Sequence, residues 1–413
     1  MSADAPPSPA PTPPPVVRRK SDRGRIYLVA AVVAVAAIVV GIGAGTSWYG
    51  LKTSSSSTGC PTGVTLQGNG ASFPAALVSQ WTTNFHTSSG NIVNYPNNGA
   101  VLGITYLTEK STDFAITDEG LTSAEATNLT NAVGTVLTLP VTGGSVALVY
   151  NATALGYSGP VNLTANELVG IYLGKITTWA GLASNNAGLG KIATGLSPVH
   201  RADGAGMTYV LTNYLSDQNK TWRTTTGLGT STDPAWWTNV TAAIGATGNS
   251  AVLKDVKKTP GAIGYTDLYD AEEAASAGVA IAAIVNSHGT AVAPTWADTA
   301  SAISDVYAAI GSSLPSATGD WSSVSWVNAS GPGDYPLSTL VYMMVPQNPA
   351  KGHTASLTDA TALREWIQWV ATTGQKYNTT QFPYVSPPTP LLTQDLSALS
   401  GMMFNNQPIP SCS

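Results

Sequence analysis

VTLQGNGASFPAALVSQWTTNFH, residues 64–86, encodes a short strand, a glycine-rich turn and a helix in direct succession. Apolar and polar residues alternate at its start, which is typical of a half-buried strand. Leu77, Trp81 and Phe85 then recur every four residues, the spacing that places side chains on one face of a helix. Ser72 lies just before the helix and is a favourable N-cap residue. The stretch therefore predicts a strand–turn–helix unit whose turn carries polar groups.

The same unit recurs further along the chain, and this repetition decides the fold class. Residues 91–107, NIVNYPNNGAVLGITYL, also read as strand, glycine turn and helix, and residues 113–118, DFAITD, read as a short buried strand that ends in an acid. Residues 136–151, VLTLPVTGGSVALVYN, read as two apolar strands separated by Gly143 and Gly144. This alternation predicts an α/β fold with largely parallel sheets. In such sheets ligands bind where strands end and helices begin.

The composition indicates two lobes and excludes a nucleic-acid partner. The chain has 413 residues, too many for one small domain, which indicates two lobes with extensions. Its net charge is −5, so it has no basic field for nucleic acid. Only 10% of the residues are charged. A surface built from Ser, Thr, Asn and Gly keeps its character as pH changes, which favours an exposed environment.

The amino-terminal residues are predicted to form a membrane anchor that lies outside the fold. Residues 1–25 are rich in proline and end in a basic cluster, which predicts a disordered cytoplasmic tail. Residues 26–45 carry no charge and are long enough to span a bilayer. The basic cluster places the amino end inside the cell, so the folded part is expected outside. Residues 46–62 read as a Ser/Thr tether. We favour a retained single-pass anchor in the cell membrane over a cleaved signal.

Two cysteines lie near the two ends of the folded part. Cys60 follows the tether, and Cys412 is next to the last residue. We favour a disulfide between them, which suits an oxidising space outside the cell. The alternative is a lipidated Cys60, but the apolar span ends well upstream of it and Cys412 would stay unpaired. Outward topology also makes the asparagines of the Asn-x-Ser/Thr motifs candidate glycan sites, namely Asn128, Asn151, Asn162, Asn219, Asn239, Asn328 and Asn378.

A second glycine-rich turn carries the charges that indicate a ligand. Residues 199–211, VHRADGAGMTYVL, place Arg201 and Asp203 directly before two glycines and a helix-like run. The amino end of a helix offers free N–H groups and a partial positive charge, which suit phosphate or sulfate. Glycine lets the backbone approach the ion, and the arginine fork matches a tetrahedral oxyanion. Either turn alone is a weak signal, but together with the lone arginine they predict an oxyanion site.

Five motifs in order, GNGASFPAAL, DFAITDEGL, IYLGKITTW, RADGAGMTYVLTNYL and PGAIGY, resemble the phosphate-binding protein of the high-affinity phosphate ABC transporter. The similarity runs from about Leu66 to near Gln381. It implies a two-lobed periplasmic-binding-protein-like fold of type 2, with the chain crossing between lobes near Ser145 and Tyr335. Lobe 1 would comprise residues 63–145 and 335–413, and lobe 2 would comprise residues 146–334. It also implies phosphate held without water between the lobes and passed to permease subunits that a separate ATPase powers.

The resemblance also implies the residues that bind phosphate. Ser72 with Phe73 would donate hydroxyl and backbone N–H groups, and Gly206 would donate a backbone N–H. Arg201 would form charge-assisted bonds to the anion, and Asp203 would orient it.

Asp118 matches the family's acceptor carboxylate. It would accept a hydrogen bond from an anion that still carries a proton, and fully deprotonated sulfate would leave two acceptors facing each other. The residues alone leave a second interpretation open, in which Asp118 is a helix N-cap before EGLTSAEA.

Three positions depart from the family's pattern of hydroxyl side chains, because they are Ala100, Ala205 and Met207 here. Their backbone N–H groups remain, but three hydroxyl donors are lost. At about 0.5–1.5 kcal/mol each, we expect weaker binding than is usual in the family. Phosphate is the favoured ligand, and a related anion or a phosphate ester stays open.

Two other classes of protein remain alternatives. A surface phosphate-ester hydrolase needs metal ligands or an activated nucleophile, and His86, His200, His288 and His353 show no ligand spacing. A sensory or adhesive surface protein is the other alternative that would keep this fold. We predict a monomeric binding protein with no enzyme activity, no cofactor and no metal.

Overall fold

A computed structural model describes residues 59–225, 229–233 and 240–412. The predicted cytoplasmic tail and membrane anchor, residues 1–45, lie outside the described residues, as does the tether up to residue 58. Among the described helices, none combines the length and the apolar character that crossing a membrane requires.

The described chain alternates strands and helices, as the sequence predicts. The strands are β1 Thr65–Gly70, β2 Ile92–Asn94, β3 Phe114–Thr117, β4 Val136–Asn151, β5 Asn162–Leu163, β6 Ser197–Arg201, β7 Ile244–Ala246, β8 Ala262–Asp267, β9 Val279–Val285, β10 Ala291–Val292, β11 Ser338–Pro346, β12 Met403–Phe404 and β13 Gln407–Pro408. The helices are α1 Ala75–Ser89, α2 Ala100–Thr108, α3 Ser123–Val133, α4 Ala152–Leu155, α5 Ala165–Tyr172, α6 Gly206–Gln218, α7 Lys220–Thr224, α8 Asn249–Lys258, α9 Leu268–Ala275, α10 Trp296–Ile310, α11 Leu357–Ala371 and α12 Thr389–Leu399.

The main sheet consists of two parallel groups joined by antiparallel strands. Its principal order is β2-β1-β3-β11-β4-β8-β6-β7. β1 is parallel to β2 and β3 at one end, and β6 is parallel to β7 and β8 at the other. Between them β4 is antiparallel to β11 up to Ser145 and antiparallel to β8 from Val146 onward. The prediction of largely parallel sheets therefore holds for each group but not for the centre.

The prediction that Gly143 and Gly144 separate two strands is wrong, because β4 runs unbroken through them. These glycines provide space and do not make a turn. A Cβ on Gly143 would lie 2.6 Å from Cδ1 of Ile303, and one on Gly144 would lie 2.8 Å from the ring of Phe73. Real Cβ atoms do not approach other atoms this closely, so both positions need glycine for the neighbouring side chains to pack.

The amphipathic patterns of the sequence become buried helix faces. Leu77, Trp81 and Phe85 of α1 are fully buried, which confirms the predicted face. In α11 the ring of Trp366 packs edge-on against Phe85 at 5.1 Å between ring centroids. The two helices thus cover one face of the β1–β3 group, and the contact couples the first helix of the fold to a late one.

One predicted glycan site is inaccessible in the folded chain. Asn151 is buried, its Nδ2 donates to the carbonyl of Lys257 at 2.9 Å, and its Oδ1 accepts from the N–H of Ala154. Asn128 on α3 is exposed. Asn239 lies outside the described residues.

Asp395 of α12 is a buried acid whose ionisation opposes folding. Its side chain is fully buried, neither carboxyl oxygen has a hydrogen-bond partner among the described residues, and burial raises its pKa to about 8. The folded state holds this proton more tightly than the unfolded chain does. Stability is therefore highest below the unfolded pKa of about 4 and falls as pH rises toward 8.

We predict that Asp395→Asn stabilises the protein at pH 9 by roughly 2–5 kcal/mol, because the neutral amide has no ionisation cost. The advantage should vanish at pH 4, where both side chains are neutral. Thermal melts across this range measure it, with the exposed carboxylate variant Glu109→Gln as control. A gain of the same size at both pH values would contradict the prediction.

Candidate functional site

Arg201, the last residue of β6, is the centre of the candidate site. Its side chain is buried, and its Nε donates to Oδ1 of Asp203 at 2.7 Å while Nη2 donates to Oδ2 of the same carboxylate. Its Nη1 donates to Oγ of Ser72 at 3.1 Å and to Oδ1 of Asn249 at 3.0 Å. The structure thus brings together Arg201, Asp203 and Ser72, which the sequence analysis predicts as site residues.

The two charges of this pair support each other. Burial alone would lower the pKa of Arg201, but its bonds to Asp203 raise the pKa above the ordinary value. Burial alone would raise the pKa of Asp203, but Arg201 holds it below the usual range. Gly248 adds a backbone N–H to Oδ1 of Asp203 at 3.2 Å. The ion pair is therefore charged at neutral pH and is fixed on both sides.

Several helices begin at this point. α6 begins at Gly206, α2 at Ala100 and α8 at Asn249, and α1 follows the Ser72 turn. Helix amino ends carry partial positive charge, so their convergence favours an anion.

Glycine allows the α2 turn to touch the arginine loop. A Cβ on Gly99 would lie 3.2 Å from Oδ2 of Asp203, and one on Gly204 would lie 2.5 Å from Cγ2 of Val101. Gly99 also has φ of 109°, a conformation that other residues rarely adopt. The glycine turn at residues 97–99 therefore packs against the arginine loop.

The remaining predicted residues are buried next to these turns along the chain. Ala100, Ala205 and Met207 are all buried, as is Phe73. The amide of Ala205 donates to the carbonyl of Thr232 at 3.2 Å, whereas the N–H of Gly206 makes no hydrogen bond within the described part of the chain. Gly206 therefore has a free donor, and the three departures from the hydroxyl pattern present apolar side chains.

Asn249 is a site residue that the sequence analysis missed. Its Oδ1 accepts from Oγ of Ser72 at 2.9 Å as well as from Arg201, and its Nδ2 donates to Asp267 at 2.7 Å and to Asp270 at 3.1 Å. The signal was present, because Gly248-Asn249 precedes an amphipathic helix as glycine does in the other two turns. Nothing in the sequence says that this third turn meets the other two.

Asp118 follows β3 and lies against the first residue of α6. A Cβ on Gly206 would lie only 1.8 Å from Oδ1 of Asp118 and 1.9 Å from Oε2 of Glu119. Both residues are buried, and neither oxygen has a partner among the residues described. The alternative role of Asp118 as an N-cap is wrong, because α3 is capped by Thr122 in a capping box with Glu125.

Burial dominates the titration of this acidic pair. It raises the pKa of Asp118 to about 6, against the opposing effect of Arg201. It raises the pKa of Glu119 well above the ordinary value, and the neighbouring Asp118 carboxylate raises it further. Glu119 was not identified from the sequence.

Phe73 joins the site to the return segment of the chain. Its carbonyl accepts from the hydroxyl of Tyr384 at 3.0 Å, and that hydroxyl also lies 3.3 Å from Oδ1 of Asp267. Tyr384 thereby connects the Ser72 turn to the acid that holds Asn249.

The predicted cysteines are close but unbonded. The sulfur atoms of Cys60 and Cys412 and a carboxylate oxygen of Glu365 lie within 4.8 Å of one another. Both cysteines are free thiols here. Within the described ranges this is the one cluster with metal-ligand spacing. His200 is not part of it, and its Nδ1 lies 2.8 Å from the carbonyl oxygen of Arg201.

Comparison with known proteins places this geometry in a family. Residues 55–373 match the PBP superfamily domain. The phosphate-binding protein PstS of Xylella fastidiosa is 30% identical over 338 residues, which cover 80% of this chain and 84% of that protein. PstS of Methanocaldococcus jannaschii is 27% identical over 353 residues, which cover 82% and 87%. A solved high-affinity periplasmic phosphate-binding protein, bound with phosphate, shares the fold with a TM-score of 0.63 and 19% identity, covering 82% of this chain and 99% of that one.

Proposed function

Because this chain belongs to the PstS-type phosphate-binding proteins of the PBP superfamily, we propose that it captures inorganic phosphate around Arg201 and delivers it to an ABC importer. Its relatives are named as binding proteins and not as enzymes. Permease subunits with a separate ATPase are the proposed partners.

The observation that carries the proposal is the arrangement of donors around the buried guanidinium. Asp203 accepts from Nε and from one N–H of Nη2, and Nη1 donates to Ser72 and Asn249. The hydroxyl and amide oxygens are neutral acceptors, and a phosphate oxygen is a stronger, charged one. We propose that phosphate approaches Nη1 and receives further bonds from the Ser72 hydroxyl and from the N–H groups of Phe73 and Gly206.

We propose that Asp118 distinguishes ligands that carry a proton from ligands that do not. As a carboxylate it accepts a hydrogen bond from monoprotonated or diprotonated phosphate, and it faces sulfate as an unpaired acceptor. Loss of three hydroxyl donors at Ala100, Ala205 and Met207 removes roughly 1.5–4.5 kcal/mol, or about ten- to two-thousandfold in affinity. We therefore propose a receptor of modest affinity that still prefers phosphate to sulfate.

The site draws on both proposed lobes. We propose lobe 1 as residues 63–145 and 335–413 and lobe 2 as residues 146–334, which agrees with the change of partner of β4 after Ser145. Ser72 and Asp118 would then come from lobe 1, and Arg201 from lobe 2. A ligand bonded to both would hold the lobes together.

We predict that the full chain in detergent binds phosphate measurably in calorimetry and binds sulfate more weakly at pH 7.5. Arg201→Lys should weaken phosphate binding by about tenfold or more, because lysine keeps the charge but loses the bidentate fork. Arg223→Lys is the matched control, since Arg223 donates to the carbonyl of Ser216 away from the site. No heat with phosphate, or equal loss in both variants, would contradict the proposed site.

The disulfide remains part of the proposal. The proximity of the Cys60 and Cys412 sulfurs supports it. We predict that the full chain, isolated in detergent without reductant, has no thiol that reacts with maleimide, and that reduction or Cys60→Ser destabilises its folded part by about 2–5 kcal/mol. Ready labelling of both cysteines in the folded protein would refute the bond.

Membrane anchoring is likewise proposed from residues 26–45, whose uncharged length supports it. The full chain should remain in the membrane fraction after a high-salt wash and should be released by detergent. Replacing Val35 and Val39 by arginine should release it without detergent, because charged side chains at the centre of the span oppose insertion. Recovery of the unaltered chain in the salt wash would exclude a retained anchor.

A further inference from the structure

Glu119 lies at the candidate site, and the proposed function gives it no role. Its Oε2 and Oδ1 of Asp118 fall within 1.9 and 1.8 Å of the same point beside Gly206, so the two oxygens are less than 4 Å apart. Both side chains are buried, with exposures of 8% and 2%. Two carboxylates this close in a dry place cannot both be ionised, so one proton is held between them.

The surroundings decide which acid holds the proton. The positive charge of Arg201 opposes the rise in the pKa of Asp118, and Asp203 and Tyr95 are the other titratable groups that interact with Asp118.

Glu119 instead faces Asp118, Glu125 of α3, Tyr209 of α6 and Tyr342 of β11, none of which is a cation. Burial, followed by the nearby Asp118 and Glu125 carboxylates, raises the pKa of Glu119 well above its ordinary value. Glu119 is therefore the neutral acid of the pair and Asp118 the carboxylate.

We propose that Glu119 is a positioning residue whose protonated carboxyl donates a hydrogen bond to Asp118 and thereby keeps Asp118 ionised as the acceptor for bound phosphate. This inference rests on the proposed function. Glu119 lies next to Asp118, the proposed acceptor for phosphate, and affects the ligand only through Asp118. Without this donor, the burial of Asp118 would favour its protonated form.

The consequence concerns sulfate. While Asp118 is ionised, phosphate donates a hydrogen bond to it through its own O–H group, whereas sulfate has no O–H group to donate. Once Asp118 is protonated, its O–H donates to a sulfate oxygen and the discrimination is lost. Sulfate affinity should therefore rise as pH falls below about 6, the pKa of Asp118. Glu119 sets the pH at which that rise begins.

The test is calorimetry of phosphate and sulfate from pH 5 to 8.5 on the full chain and on Glu119→Ala and Glu119→Gln. Glu119→Ala removes the donor, so the rise in sulfate affinity should begin about one pH unit higher or more, which makes sulfate bind about tenfold tighter at pH 7 than in the unaltered chain. Glu119→Gln keeps an N–H donor for Asp118 and should restore the original profile.

Glu125→Gln is the matched control, because it removes the neighbouring charge that faces Glu119 and keeps the capping box. An unchanged sulfate profile in Glu119→Ala, or a shift of equal size in Glu125→Gln, overturns the inference while phosphate binding by the unaltered chain sustains the proposed function. Absence of phosphate binding at every pH instead overturns the proposed function itself.

A second measurement covers the case in which Glu119→Ala does not fold. Carboxyl carbon shifts of the unaltered chain should show Glu119 protonated and Asp118 ionised at pH 7.5. The reverse assignment, or ionisation of both, overturns the inference.

Discussion

The buried guanidinium of Arg201 is the constraint on which the rest of the site depends. A cation removed from water has to satisfy its donors with nearby acceptors, or its burial costs several kcal/mol. Asp203 satisfies two of the donors, and Ser72 with Asn249 satisfies the two bonds of Nη1. Asn249 is in turn held by Asp267, whose carboxyl also meets Tyr384. One charge thus fixes turns that are far apart in sequence.

The long strand β4 supplies the frame for this network. It is buried along almost its whole length and exchanges β11 for β8 between Ser145 and Val146. Because the hydrogen bonding continues through that exchange, the β1–β3 group and the β6–β8 group belong to one sheet. Gly144 leaves room at that point for the ring of Phe73, so the strand that joins the groups also seats the Ser72 turn.

Local patterns predicted most of what is local in this protein. The face of α1 and the turn before Gly206 follow from spacing within a few residues, and the pairing of Arg201 with Asp203 agrees with what the family resemblance implies. The predicted N-cap role of Ser72 is wrong, because Pro74 is the N-cap of α1 and the Ser72 hydroxyl donates to Asn249. Asn249 and Glu119 could not be found in this way, because their importance arises from contacts with residues distant in the chain. The prediction that Gly143 and Gly144 separate two strands failed for the same reason, because the side chains that occupy the space beside these glycines come from other elements. The N-cap reading of Asp118 failed because Thr122 forms a better capping box three residues before Glu125.

The candidate site lacks three hydroxyl groups, which would donate independently of pH, and contains an additional acid, whose ability to donate depends on pH. A serine or threonine hydroxyl donates a hydrogen bond at every pH that the protein meets, whereas a carboxylic acid donates only while it is protonated. At Ala100, Ala205 and Met207 the hydroxyl donors are absent, and we propose that the buried Glu119 supplies a donor of the carboxylic-acid kind. Among the described residues of the candidate site, the carboxylates Asp203 and Asp118 outnumber the cation Arg201, so a bound anion would depend on helix amino ends and on protons for its remaining stabilisation. We therefore propose that the selectivity of this site depends on pH, whereas a site lined by hydroxyl groups would not show that dependence.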